Sequence, residues 1–335
     1  MARRTIVEIA ERLGVSTATV SRALNNAPGV GDVRRQAILE TAAQLGYHPN
    51  ASARRLQGQQ SQVLCYALDT TDRLSTDQFF FQDFVAVLAS CCAAQGFDLL
   101  LHTFDAARDS FDAVTRLVHS GRADALILSD ARSDDLRVRQ LSEAGLPFAM
   151  FGRCTAVANH MWVDVDGCAG VRAATTHLIA RGHTRIALLG LAGEFSCAHE
   201  RERGYHEALL AAGITPLTAL VARDLRTPAE VHMVVNALFD ADDPPTALVA
   251  SSDMLALQAM FAASQRGLQA GRDYAITGFD DLPMLAHIAT PLTTVRQPLE
   301  QVCDALIAMV LRAFSGEPGP TQVLMQPELI IRESS

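Results

Sequence analysis

The sequence predicts a small all-α head followed by an α/β body of two doubly wound lobes, and three observations support this prediction. Short helical stretches with apolar periodicity occupy roughly residues 1–48. From residue 62 onwards, strand-like apolar runs alternate with helical-period stretches, which indicates βαβ units and parallel sheets. Charge divides at the same place: residues 1–60 carry a net charge of +4, and the rest of this −9 chain carries −13. A basic head on an acidic body indicates a polyanionic partner for the head.

Length and composition exclude several protein classes. At 335 residues, 49% hydrophobic and 19% charged, the chain is a globular protein of two or three domains rather than a disordered one. No apolar run approaches the ~18–20 residues of a membrane helix, and the first residues lack the apolar core of a signal peptide. The seven cysteines form no C-x-x-C pair, and no cluster of Cys and His has metal-ligand spacing. We therefore expect a cytosolic protein with reduced cysteines and with neither metal nor cofactor.

The head is predicted to hold three helices, of which the first two form a helix-turn-helix unit. The first helix follows a capping box at Thr5-x-x-Glu8 and ends at Gly14. Ser16 is positioned to cap the second helix, which runs to Leu24. The third helix spans about residues 33–45. The apolar residues that share inward faces are Ile6, Ile9, Ala10, Leu13, Val20, Leu24, Ala37, Ile38, Ala42 and Leu45.

The composition of residues 49–61 is typical of a linker between two domains. Asn50 is a possible N-cap and Gly58 a stop, which leaves room for about two helical turns. Isolated helices of this length are unstable in water, so we expect the linker to order only when something docks it.

The body alternates strands and helices. The predicted strands are 63–68, 99–103, 125–128, 148–151, 186–189, 247–250 and 274–277. The predicted helices are 80–95, 109–119, 134–144, 168–181, 200–212, 228–238 and 253–267. Seven such units exceed one compact sheet, so we expect a pair of α/β lobes with a cleft at the carboxyl ends of the strands.

Ordered motifs along nearly the whole chain are similar to those of one known family. They are Val15-Ser16-Thr17-Ala18-Thr19-Val20-Ser21-Arg22-Ala23-Leu24-Asn25, Asn50-x-x-Ala53-Arg54-x-Leu56, His177-Leu178-Ile179-x-x-Gly182-His183-x-x-Ile186, Arg201-x-x-Gly204-Tyr205-x-x-Ala208-Leu209, Ser252-Asp253-x-x-Ala256, Gly278-Phe279-Asp280-Asp281, Leu292-Thr293-Thr294-Val295-x-Gln297-Pro298 and Ile331-Arg332-Glu333-Ser334-Ser335. Through these motifs the sequence resembles the LacI/GalR-family transcription regulators, which are DNA-binding repressors and less often activators. The resemblance implies a body like the periplasmic sugar-binding proteins.

The resemblance also implies a division of the chain. Residues 1–48 would be the helix-turn-helix DNA-binding domain, 49–61 a hinge helix, and 62–335 the effector-binding and dimerisation domain. Within the body, the N-lobe would comprise about 62–160 plus 292–322. The C-lobe would comprise about 161–291 plus 323–335.

The second helix is expected to read DNA in the major groove with its exposed N-terminal residues. Thr17, Ala18 and Arg22 match the base-reading positions of the family, and Arg22 suits a guanine edge. Short polar or basic groups are candidates for backbone contacts: Ser16, Thr19, Ser21, Asn25, Tyr47 and Arg54. By resemblance, Leu56 would wedge into the minor groove at a central base step. The alternatives are a solvated arginine at 22, a surface turn at Tyr47 and an ordinary charged linker at Arg54.

Eight residues are candidates for effector binding by resemblance: Phe80, Phe81, Asp130, Arg153, Trp162, Arg201, Asp253 and Asp280. Aromatic faces suit a sugar ring, and arginine–carboxylate pairs suit its hydroxyls. The phenylalanines and Trp162 could instead pack in the core, Arg153 could be a surface charge, and Asp280 could be an N-cap. For Asp253 we favour a cap. The sequence departs from the family at Asp166-Gly167, at Ser251-Ser252-Asp253 and over residues 193–198.

The sequence therefore predicts a repressor that binds a near-palindromic double-stranded operator as a homodimer. Its effector would be a sugar or sugar derivative, with a nucleoside or purine as an alternative. A ligand-binding protein without a DNA-binding role is a second alternative, which residues 1–60 argue against. No nucleophile-elbow, P-loop or zincin motif occurs, so we do not expect an enzyme. The absence of a heptad tail after the last strand favours a dimer over a tetramer.

Overall fold

The computed structural model describes residues 5–24, 28–47, 61–71, 78–105 and 111–335. The chain forms two compact units, Met1–Ser61 and Gln62–Ser335. Each unit has a hydrophobic core of its own. None of the helices in the described ranges is long and apolar enough to cross a membrane.

The head consists of three helices, α1 (Ile6–Leu13), α2 (Thr17–Leu24) and α3 (Asp32–Gln44). They pack around a core of Ile9, Ala10, Val20, Ala23, Val30, Ile38 and Ala42. Gly14 ends α1 in the left-handed conformation with φ 63°, and its N–H donates back to the carbonyls of the last turn. This arrangement confirms the three predicted helices and their inward faces.

Of the two predicted caps in the head, one is wrong and one is confirmed. The Thr5 side chain makes no capping hydrogen bond, and the Glu8 N–H instead donates to the Thr5 carbonyl oxygen at 3.1 Å. Ser16 does cap α2, because its Oγ accepts from the Thr19 N–H at 3.1 Å.

The N-lobe is built on a six-stranded parallel sheet of order β11-β5-β4-β3-β1-β2. Its strands are β1 (Val63–Asp69), β2 (Asp98–Phe104), β3 (Ala125–Leu128), β4 (Phe148–Phe151), β5 (Met161–Val165) and β11 (Gln322–Met325). Its helices are α4 (Gln78–Ala94), α5 (Asp112–His119), α6 (Leu136–Glu143) and α11 (Leu299–Ser315). Helices α4 and α11 supply Leu88 and Leu306 to the core on one face of the sheet. Helices α5 and α6 supply Leu117 and Leu141 to the other face. Such double coverage is what a parallel sheet requires.

The C-lobe is built on a four-stranded parallel sheet of order β7-β6-β8-β9. Its strands are β6 (Ile186–Leu189), β7 (Val221–Ala222), β8 (Ala247–Ala250) and β9 (Ala275–Thr277). Its helices are α7 (Gly167–Ala180), α8 (Ser196–Ala211), α9 (Pro228–Phe239) and α10 (Asp253–Ser264), with short 3₁₀ turns at Thr218–Leu220 and Pro283–Ala286. A separate antiparallel pair joins β10 (Thr294–Arg296) to β12 (Glu328–Ile330).

The chain passes from the six-stranded to the four-stranded sheet after β5 and returns before β11, a few residues away from the predicted boundaries. β5 pairs with β4 and with β11, so residues 161–165 and 323–325 belong to the N-lobe rather than the C-lobe. These strands were misplaced because the backbone pairing that fixes their sheet is not visible in the sequence. Helix α11 and the strands β5, β7, β10, β11 and β12 are not among the elements predicted from the sequence.

Candidate functional site

Helix α2 presents a polar and small-residue surface to solvent. Thr17, Ala18 and Arg22 are exposed, whereas Val20 and Ala23 face the head core. The three residues predicted to read bases therefore share the outward side of this helix, as a groove-reading helix requires. Ser16 lies exposed at the start of the same helix, and Thr19 and Ser21 are half-buried.

The remaining predicted DNA contacts divide in two. Tyr47 is half-buried beside the head core just after α3, and its N–H donates to the Ala42 carbonyl oxygen at 2.9 Å. Asn25, Arg54 and Leu56 lie outside the described residues.

The body contains a cavity of about 780 Å³ between the carboxyl ends of the two parallel sheets. This is where open α/β sheets bind ligands. We call the residues that line it the cavity wall. Its aromatic part comprises Phe80, Phe81, Phe151 and Phe195. Phe80 is buried and in contact with Phe81, whose ring centroid lies 5.6 Å away. Phe80 therefore serves both the core and the wall, and the half-buried Phe81 is the more accessible of the two.

Asp130 lies in the cavity wall directly after β3, in the left-handed conformation with φ 55°. Arg137 holds this turn, because its Nη2 donates to the carbonyl oxygens of Ser129 at 3.0 Å and Asp130 at 2.9 Å. Asp135 in turn accepts from Nε of Arg137 at 2.9 Å and from Nη2 at 2.7 Å. Burial opposes ionisation of Asp135, but the Arg137 guanidinium outweighs it and lowers the pKa of this carboxyl.

Arg201 and Asp280 meet in the C-lobe part of the wall. Nη2 of Arg201 lies 3.8 Å from Oδ1 of Asp280, and that oxygen also accepts from Nε2 of Gln297 at 2.7 Å. The guanidinium stacks 3.8 Å above the ring centroid of Phe279 and donates to the Ser251 carbonyl oxygen. A side chain at Gly167 would place its Cβ 3.2 Å from Cγ of Arg201, so the glycine at this departure from the family makes room for the arginine.

Three predicted effector residues are not part of the cavity wall. Asp253 is fully buried, and Thr294 Oγ1 and the Leu282 N–H donate to its two carboxylate oxygens. The favoured cap at Asp253 is also wrong, since Ser252 caps α10. Trp162 is half-buried against the N-lobe core, with the Arg153 guanidinium 5.7 Å from its ring centroid.

Arg153 does not line the cavity but contacts two residues that do. Its Nε donates to Oδ2 of Asp164 at 2.6 Å, and its Nη2 lies 3.4 Å from Oε2 of Glu200. Both of these carboxylates line the cavity. Burial raises the pKa of Asp164, and the Arg153 guanidinium opposes that shift. Arg153 thus positions two wall carboxylates across the lobes.

Several wall residues were not predicted: Asp69, Asp164, Glu200, Arg226 and Gln297. Asp69 ends β1 and could have been predicted, because open α/β sheets bind ligands at the carboxyl ends of their strands. Gln297 lay within a quoted motif without a role. Asp164 within a strand and Glu200 within a helix carry no local signal, because only the fold brings them to the cavity.

The two lobes touch beside the cavity at a lobe seam formed by Ala131, Arg132, Phe195 and Ser196. The N–H and Oγ of Ser196 both bond the Ala131 carbonyl oxygen, at 2.9 and 3.0 Å. Arg132 and Phe195 form an antiparallel bridge alongside. The seam includes part of the 193–198 segment that departs from the family pattern. Within the described ranges, no group of three side chains is placed to hold a metal ion.

Comparison with known proteins decides the family. A model of the bacterial regulatory proteins of the lacI family matches residues 5–50, and a model of the periplasmic binding protein-like domain matches residues 175–335. The HTH-type transcriptional regulator AglR of Rhizobium meliloti is 33% identical over 333 residues, which cover 98% of this chain and 93% of AglR. The chain belongs to the lacI family of bacterial regulatory proteins.

Other members of the family match over the same length. MalR of Streptomyces coelicolor is 32% identical over 98% of this chain and 96% of its own. The solved complex of the regulator CelR with cellobiose is 28% identical, with a TM-score of 0.74 over 99% of this chain and 100% of that one. The lac repressor dimer bound to operator and an anti-inducer is 25% identical, with a TM-score of 0.82 over 99% of both chains.

This lacI-family chain is a DNA-binding transcription regulator with a helix-turn-helix head and a periplasmic-binding-protein-like body. Both the family and the fold class predicted from the sequence are confirmed. The relatives named above are regulators rather than enzymes.

Proposed function

We propose that this protein is a homodimeric repressor whose affinity for a near-palindromic operator is set by a sugar bound in the cavity. It acts in the cytoplasm on nucleoid DNA, and we assign it no catalytic step. One observation carries the DNA-binding part: α2 turns Thr17, Ala18 and Arg22 outward while Val20 and Ala23 secure the helix to the head core.

Each exposed side chain of α2 has a matching chemistry on base edges. Arg22 donates to the O6 and N7 acceptors of a guanine, and Ala18 with the Thr17 methyl contacts a thymine methyl group. Ser16, Thr19 and Ser21 lie near phosphate oxygens and fix the register, with further backbone contacts from Asn25, Tyr47 and Arg54. Leu56 supplies the minor-groove wedge.

A sugar fits the chemistry of the cavity. A volume of about 780 Å³ lies within the ~300–1,000 Å³ range of small-molecule sites. Phe81 and Phe195 supply apolar faces for sugar rings, and Asp130, Asp280 and Gln297 supply acceptors and donors for hydroxyls. The related CelR has been solved with cellobiose, a neutral disaccharide.

The sugar acts through the arrangement of the two lobes. The cavity wall contains residues from both lobes, so a bound sugar contacts both lobes at once. It therefore changes the relative stability of the lobe arrangements in which the lobe seam is kept or broken. A second copy of the chain couples this change to paired heads. Met233 on α9 and Phe261 on α10 are 66% and 54% exposed, and they offer apolar surface for that copy.

The DNA-binding part is tested by selecting operator sequences from a random duplex library with the full-length chain, then comparing two arginine variants. Arg22→Ala should lose about 10- to 100-fold in specific affinity and relax base preference at one symmetric position, because it removes a bidentate base contact. Arg34→Ala, an exposed arginine on α3, should change the affinity for all sequences alike. An Arg22→Ala protein that keeps the wild-type affinity and base preference would contradict the assignment.

A further inference from the structure

The wall carries five carboxylates, and the same wall holds two guanidinium groups. The carboxylates are those of Asp69, Asp130, Asp164, Glu200 and Asp280, and the guanidiniums are those of Arg201 and Arg226. We infer that the cavity accepts an uncharged polyhydroxy ligand and excludes phosphorylated or carboxylated sugars. The inference rests on the proposed function, since it takes the ligand to be a sugar, and it names the charge class that the site selects.

Guanidinium groups from outside the wall neutralise its carboxylates. Arg153 bonds Asp164 at 2.6 Å and approaches Glu200 at 3.4 Å, and Arg203 bonds Glu200 at 2.6 Å. Arg132 lies 3.4 Å from Oδ2 of Asp69. A cationic amino sugar therefore gains little from these acids, because their charge is already balanced from behind. Hydroxyl groups still gain, because oriented carboxylate oxygens accept strong hydrogen bonds.

Both arginines of the described wall are already engaged. Nη1 of Arg226 donates to Oε1 of Glu194 at 2.8 Å, and its Nη2 bonds the other oxygen of the same carboxylate. This pairing lowers the pKa of Glu194. Arg201 donates to the Ser251 carbonyl oxygen and faces Asp280. A phosphate in the cavity would therefore find both of these cations serving other acceptors.

The consequence is discrimination by desolvation. An anionic group on the ligand loses its hydration on entering the cavity, while Arg201 and Arg226 keep the protein acceptors that they already serve. A neutral sugar of the same shape meets none of these costs. We expect the neutral form to bind at least about 100-fold more tightly than its phosphorylated twin.

Titration calorimetry with the full-length chain tests this with matched pairs. Maltose, cellobiose and melibiose are each compared with their 6′-phosphates, and the neutral 6′-acetates control for bulk. The expected result is that one neutral sugar binds, its acetate binds more tightly than its phosphate, and the phosphate is at least about 100-fold weaker than the parent. A phosphate that binds as tightly as its neutral parent overturns the inference and leaves the proposed function intact. If none of the sugars binds while the chain still selects an operator, both the inference and the sugar part of the proposed function fail.

A variant that removes one carboxylate is tested with the same pairs of neutral and phosphorylated sugars, and it should gain phosphate binding. Glu194→Gln releases Arg226 from a carboxylate at the wall, so binding of the 6′-phosphate should rise about tenfold while the neutral sugar changes little. Glu202→Gln is the matched control, because it removes a carboxylate from another arginine pair of the C-lobe, Glu202–Arg223, which does not line the cavity. Phosphate binding that is the same in the two variants would overturn the role given to the Glu194–Arg226 pair.

Discussion

Asp253 is a buried acid that links the start of helix α10 to strand β10 and to the backbone of Leu282. Its carboxylate accepts from Thr294 Oγ1 on β10 at 2.5 Å and from the Leu282 N–H at 2.8 Å, while its backbone begins α10. A side chain at Gly278 would place its Cβ 2.2 Å from Oδ1 of Asp253, so only glycine fits beside it. Burial raises the pKa of Asp253 to about 6. This residue therefore titrates in the folded state in a range where ordinary aspartates are ionised.

This shift predicts a pH-dependent effect of Asp253→Asn. The ordinary pKa is 3.8 and the folded value is about 6, so the folded state holds the proton more tightly. The stability that this provides is present below about pH 4 and is lost as the pH rises through 6. The variant has no such titration, so its melting temperature relative to wild type should rise between pH 5 and 7.5, by about 2 °C or more.

Thermal melts of both proteins across that pH range measure the difference. Asp242→Asn, at an exposed position, controls for the loss of one carboxylate. A difference that stays flat or falls with rising pH would show that Asp253 does not carry a raised pKa.

The wall residues that could be predicted from the sequence stand in motifs or directly after strands. Arg201 and Asp280 come from motifs, and Asp130 follows β3. Arg153 was also predicted to line the cavity, but its guanidinium instead pairs with Asp164 and Glu200 and does not line it. Such competition between partners depends on distances across the fold, which residue types and spacing do not reveal.

At the scale of elements, α6 anchors the turn that follows β3. Arg137 on this helix is buried, is paired with Asp135 at 2.7 Å, and bonds the carbonyl oxygens of Ser129 and Asp130. The same turn continues into Ala131, whose carbonyl oxygen accepts the lobe-seam bonds from Ser196. One buried ion pair thus positions both a wall carboxylate and a contact between the lobes.

Removing Arg137 should therefore destabilise the body strongly. Arg137→Met leaves the Asp135 carboxylate buried without its partner, which costs about 3–5 kcal/mol of unfolding free energy. Arg139→Met, on the same helix, removes the exposed pair of Arg139 with Asp134 and should cost about 0–1 kcal/mol. Urea unfolding of both variants measures the contrast. Equal effects from the two substitutions would refute the anchoring role, and Asp135→Asn combined with Arg137→Met should recover part of the loss.

The elements that were predicted from sequence are those with a continuous signal. β3, β4, β6 and β8 are four-residue strands buried at every position, and each was predicted with its observed bounds. β10 and β12 have three residues each and pair with one another, and β10 adds a single bridge between Arg296 and Asp280. Strands this short hold too few residues for a pattern, and their existence depends on a partner distant in the sequence.

At the scale of the whole molecule, charge is divided according to task. Residues 1–60, the head with its linker, carry a net charge of +4 and the remainder carries −13. We expect the acidic body to oppose non-specific contact with DNA and to leave DNA binding to residues 1–60. The body contributes the cavity, whose wall is shared by both lobes. In the proposed function, operator binding and sugar binding are coupled because both depend on one equilibrium between lobe arrangements.

The most direct test of this claim is a reciprocal titration of the full-length chain. The operator dissociation constant is measured with and without a saturating neutral sugar, and the sugar dissociation constant is measured with and without saturating operator. Coupling predicts that each ligand changes the affinity for the other by the same factor, of roughly 5- to 150-fold. A sugar that binds the cavity while leaving the operator affinity unchanged would contradict the account.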